Sequence, residues 1–96
     1  MHAAAVRLEL RIPGCRSLKE KRRVLRPIVE HLRRRMELSV SEVGHQDSWQ
    51  RAAVAVAVVA PQAGRLEEVI EGVRRWLLEL AEAELVEFEI TYLELP

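Results

Sequence analysis

The densest set of chemically capable side chains lies between residues 42 and 51: Glu42, His45, Gln46, Asp47, Trp49, Gln50 and Arg51. His45 and Asp47 stand two apart, which suits an acid–base pair or half of a metal site. Two ligands do not complete a site, and the chain has no CxxC or HExxH spacing. The plainer reading is a structural hairpin. There Asp47 caps its own turn through an Asx hydrogen bond and Trp49 covers the apolar side. The alternative is a recognition hairpin of His45, Gln46, Asp47, Trp49 and Arg51. No catalytic residue, metal ligand set or cofactor is assigned.

A second candidate is Pro13-Gly14-Cys15-Arg16, just ahead of a helix start. Backbone N–H groups there suit an anion, and a cysteine there can have a lowered pKa. No His or Asp is fixed beside Cys15 by spacing. Acylphosphatases share this size and topology and cradle phosphate in this loop. They hold the attacking water with an Asn, and this chain has none. A small phosphate-handling enzyme is therefore the weakest of the functional readings.

The third candidate is cationic. Lys19, Arg22, Arg23, Arg26, Arg33 and Arg34 recur at offsets of three, four and seven. On a helix they share one side, opposite the apolar stripe. Arg16 and Lys21 stand near the start of that helix and Arg35 near its end. Such a row could track a phosphodiester backbone, because guanidinium forks match phosphate oxygens. The plainer reading is a solvated face, or one bridged to Glu67, Glu68, Glu71, Glu79 and Glu82 of a neighbouring helix. An acidic protein partner is a third reading. His2 and His31 have no partner pattern and read as surface residues.

These residues need elements to hold them. Val6, Leu8, Leu10 and Ile12 alternate with Arg7, Glu9 and Arg11, the period of a half-buried strand. Pro13-Gly14 stops it. Ser17 and Glu20 form a capping box, with the Ser17 hydroxyl accepting from the Glu20 N–H and the Glu20 carboxylate reaching back to Ser17. Leu18, Leu25, Ile28, Val29, Leu32 and Met36 continue a helix of about five turns, roughly 28 Å long. Pro27 predicts a kink inside it. Leu38 to His45 reads as a second strand with Val40 and Val43 as its apolar positions, and Gln50 to Ala60 as a third. Leu66, Val69, Ile70, Val73, Leu77 and Leu80 mark a second amphipathic helix. Val86, Phe88, Ile90 and Tyr92 mark a fourth strand.

The order β-α-β-β-α-β, with right-handed crossovers, predicts a ferredoxin-like α+β sandwich. Residues 1–96 read as a single domain with two helices on one face of a four-stranded antiparallel sheet. The other face would show Arg7, Glu9 and Arg11 beside Ala53, Ala55 and Ala57. An RNA-recognition sheet of this topology stacks bases on aromatics of its central strands. Residues 3–12 and 50–60 have no Phe, Tyr or Trp, which argues against that mode. Small alanines would instead admit a second sheet or subunit, so a homodimer is a further expectation.

The 96 residues hold 15 Lys+Arg and 15 Asp+Glu, 49% hydrophobic residues and one Cys. That balance excludes a disordered or collagen-like chain. No apolar run is long enough to span a bilayer. Arg7 and Glu9 interrupt any signal-peptide core, and a single Cys fits a reducing compartment, so the expectation is cytoplasmic. Thirteen Arg, fourteen Glu and no Asn follow a pattern reported for heat-stable proteins. The zero net charge hides two poles. Residues 1–35 hold 11 basic and 3 acidic residues, residues 36–65 hold 2 and 3, and residues 66–96 hold 2 and 9.

Two runs carry a family resemblance. They are Ser17-Leu18-Lys19-Glu20-Lys21-Arg22-Arg23 and Val40-Ser41-Glu42-Val43-Gly44-His45-Gln46-Asp47-Ser48-Trp49-Gln50-Arg51-Ala52. Together they resemble the YlxP-like bacterial proteins of unknown function, across essentially the whole chain. The position before His45, an Asp in that family's pattern, is Gly44 here. The resemblance implies a ferredoxin-like fold. Its members are often encoded beside translation and ribosome-assembly factors, which implies association with RNA or the ribosome. It supplies no catalytic residues. The expectation is a non-enzymatic binder of RNA or ribonucleoprotein, with a protein-interaction module or homodimer as the alternative.

Overall fold

The computed structural model describes residues 1–94. Strand β1 spans His2–Arg11, helix α1 Leu18–Glu30, β2 Ser39–Gly44, β3 Arg51–Ala60, α2 Ala63–Leu78 and β4 Glu84–Glu94. The sheet order is β2-β3-β1-β4 and every neighbouring pair is antiparallel. This is the ferredoxin-like sandwich that the β-α-β-β-α-β pattern predicts. No helix among the described residues is long and apolar enough to cross a membrane.

Strand alternation divides the side chains between two faces. Val6, Leu8 and Leu10 of β1 and Val54, Val56 and Val58 of β3 point to the helices. They form one core with Leu25, Ile28 and Leu32 from the first helical segment and Leu66, Ile70, Val73 and Leu77 from α2. The second face of the sheet is open. It carries Arg7, Glu9 and Arg11 beside Ala53, Ala55 and Ala57, as the alternation predicts.

Three local features depart from the expected elements. The helix runs through Pro27 without a break, and its winding changes one turn later. His31–Arg35 form a π-helical turn, in which the Met36 N–H donates to His31 O (3.2 Å). Glu37 ends it with φ +55°. The Ser17 hydroxyl does accept from the Glu20 N–H (3.1 Å), but the Glu20 carboxylate accepts from Arg16 N (2.8 Å) rather than from Ser17. In β2 a register shift between Glu42 and Gly44 leaves Val43 exposed, so Val40 is the strand's one buried apolar side chain.

Candidate functional site

Lys21 determines how the two motifs meet. It occupies the core phase of α1, in step with Leu18, Leu25, Ile28 and Leu32, and is only 3% exposed. Its Nζ donates to His45 O (2.7 Å) and Ser48 O (2.8 Å) and lies 3.7 Å from Glu42 Oε1. A buried ammonium is costly unless hydrogen-bonded and paired, and here it is both. The Ser48 N–H also donates to His45 O (3.0 Å), closing a turn over residues 45–48. Gln50 is tied as well. Its carbonyl accepts from Ile12 N (2.8 Å) and its Nε2 donates to Cys15 O (3.3 Å). The hairpin is thus pinned on both sides of Trp49, to Lys21 of α1 and to the segment between β1 and α1.

His45 has φ +58°, in the left-handed region that few non-glycine residues adopt. Its Nε2 lies 2.8 Å from Oε1 of Glu9, over on β1. An ionised carboxylate only accepts, so Nε2 carries the hydrogen. Arg51 Nη2 donates to Glu9 Oε2 (2.7 Å), and Arg7 Nη1 stands 3.9 Å from Oε1. The bonds from Arg51 and then His45 hold the Glu9 carboxyl below the usual carboxylate range, against the opposing effect of burial. Gly44 makes room for this set. A Cβ there would sit 3.2 Å from Ala53 Cβ and 3.7 Å from Arg7 Nη2.

The hairpin residues therefore divide. His45 and Arg51 converge on Glu9 at the open sheet face, while Gln46 and Asp47 are exposed at the tip. Asp47 accepts no side-chain hydrogen bond among the described residues, so the expected Asx cap is absent. Lys21 holds the turn instead. Trp49 is 51% exposed. Cys15 is buried and its Sγ donates to Ser17 O (3.4 Å). No group of three or more metal-capable side chains occurs among the described residues.

Lys19, Arg22, Arg23 and Arg26 of α1 and Arg33 and Arg34 of the π-helical turn that follows it are all exposed. The bridges to the glutamates of α2 are not formed. Among the described residues none of the six is within ion-pair distance of a carboxylate. The acids of α2 find other partners: Glu68 pairs with Arg65 (3.2 Å), Glu71 with Arg74 (3.6 Å), and Glu67 accepts from the Tyr92 hydroxyl (2.6 Å). That last bond pushes the Tyr92 phenol up. Arg33 differs from the other five, because its Nη2 donates to Val40 O of β2 (2.8 Å). The π turn alters the phase of the helix just there. His31 is not a free surface residue. It stacks flat on Trp76 at 3.9 Å between centroids, tying the end of α1 to α2.

Sequence reasoning passed over Lys21 and Glu9 as site residues. The signal for Lys21 is its position on the apolar stripe. The signal for Glu9 is a carboxylate placed between two arginines on a central strand.

The two runs singled out in the sequence are thus parts of one assembly, joined by Lys21. The uncharacterized protein YlxP of Bacillus subtilis (strain 168) is 35% identical over 68 residues, covering 71% of this chain and 74% of that relative. A family model described as a protein of unknown function (DUF503) matches residues 3–90. The chain belongs to this YlxP-like DUF503 family, whose function is unknown.

Proposed function

We propose that the protein binds structured RNA or ribonucleoprotein through the outer face of α1, and acts as a binder rather than an enzyme. The observation that carries the reading is the row Lys19, Arg22, Arg23, Arg26 and Arg34, exposed and without carboxylate partners among the described residues. Unpaired guanidinium groups keep their forks for phosphate oxygens. Lys19, Arg22, Arg23 and Arg26 line one open depression on the helix surface. Arg33 adds charge at the far end while held to β2. The pinned hairpin supplies Trp49, an exposed ring whose neighbours Ser48 and Gln50 are both tied down. An exposed aromatic ring suits stacking on an unpaired base. His45 and Arg51 are held by Glu9, so they brace the hairpin and leave Gln46 and Trp49 as its contact residues.

The test is the triple variant R22E/R23E/R26E, measured for RNA binding at low salt. All three positions are exposed, so the fold is retained. The reading expects binding to be lost. Equal binding by the variant and the parent protein overturns it.

A further inference from the structure

Helix α1 and the end of α2 leave an apolar groove between them. Arg23, Pro27 and Ile28 of α1 line one side, and Trp76, Leu80 and Glu82 line the other. The groove holds about 470 Å³, an ordinary size for a ligand site. Trp76 and Leu80 are only partly covered by the core, so apolar surface stays within reach of solvent. Its aromatic part is rigid, because His31 and Trp76 stack at 3.9 Å with an interplanar angle of 2°.

Two charges frame this apolar surface. Arg23 and Glu82 both line the groove. They are not within ion-pair distance of each other, nor of any other opposite charge among the described residues. An occupant that satisfies both carries an anion for the guanidinium, N–H donors for the carboxylate and a flat apolar body between them. A nucleotide has all three. Guanine suits Glu82 best, because its N1–H and N2 amino group offer two adjacent donors to the two carboxylate oxygens. Uracil offers a single N3–H flanked by acceptors, which a carboxylate repels.

The groove is open in a way that suits a strand better than a free nucleotide. Arg23 also borders the depression that Lys19, Arg22 and Arg26 line on the outer face of α1. Arg23, Val24 and Glu82 border a further depression of about 280 Å³ that reaches Gly14 and Cys15. A chain can therefore come in over the cationic row, leave one base in the groove and run on.

We propose that this groove takes one unpaired guanine nucleotide of an RNA strand, with the base against Trp76, its donor edge on Glu82 and its phosphate on Arg23. The proposal rests on the cationic row as an RNA-binding face and adds a base preference to it. Unpaired bases read on their Watson–Crick edge and stacked on aromatic rings are the usual route to RNA sequence preference.

The experiment uses the Trp49→Phe variant of the full chain, in which Trp76 is the one remaining tryptophan. It is titrated at low salt with two labelled RNAs of equal length, an oligouridine and an oligouridine with one central guanine. Anisotropy reports binding and Trp76 emission reports the groove. The guanine RNA should bind about tenfold tighter, toward the lower end of the discrimination of a two-bond contact, and should quench Trp76 saturably. Glu82→Ala changes an exposed side chain and should bring the two affinities together without weakening oligouridine. Hypoxanthine in place of guanine, which lacks the amino group, should lose most of the preference. Equal affinities with unchanged Trp76 emission overturn the groove site and leave the cationic row standing. A guanine preference that survives Glu82→Ala also overturns the site. Failure of both RNAs to bind overturns the row and the groove together.

Discussion

Lys21 shows how one side chain links two distant runs of sequence. Its ammonium satisfies two main-chain carbonyls on the β2–β3 turn, at 2.7 and 2.8 Å. Lys21→Met keeps the apolar stem and removes both donors. Bonds from a charged donor contribute roughly 1.5–3 kcal/mol, so the variant should lose about 2 kcal/mol. A fall in the urea midpoint with an unchanged slope would report it. Glu9 makes a different prediction. Its folded pKa lies below the ordinary value of 4.5, so its contribution is present above that value and lost as pH falls through the folded pKa. Glu9→Gln should destabilise at neutral pH, and its difference from the parent protein should shrink on acidification. Thermal melts across the acid range check this. The cationic row was legible in the sequence, because its spacing alone puts it opposite the apolar stripe. The Glu9 cluster was not, since it joins residues 36 and 42 positions apart and depends on strand register.

At the scale of elements, strand and helix identities followed from periodicity, because each element buries one face. What periodicity missed was winding and register. The π turn at His31–Arg35 carries no apolar signature, since Leu32 and Met36 fit an α-helix as well. Pro27 removes one backbone donor from the helix interior, yet α1 continues past it to Glu30. Strand β4 also carries a built-in repulsion. Glu87 and Glu89 project from the same face, and Glu89 raises the Glu87 carboxyl above its ordinary value. A raised carboxylate stabilises the fold only while protonated, so its effect is complete below the unfolded pKa and lost as pH rises through the folded one. Glu87→Gln should therefore stabilise the single chain at neutral pH and have little effect in acid, as read by paired melts at the two pH values.

For the whole molecule, a net charge of zero conceals separated surfaces. The basic N-terminal third and acidic C-terminal third do not cancel by pairing α1 with α2. The α2 acids are spent on Arg65, Arg74 and Tyr92, and the α1 cations face outward. Sequence polarity alone left this open, because a helix–helix salt-bridge seam and a free cationic face share one composition. Only the direction of each side chain separates them. The most direct measurement is RNA affinity of the parent protein against salt concentration. Five to six phosphate contacts predict a log–log slope of about −4 to −5. A slope near zero, or no binding even at low salt, would contradict the assignment of α1 as a phosphate-binding face.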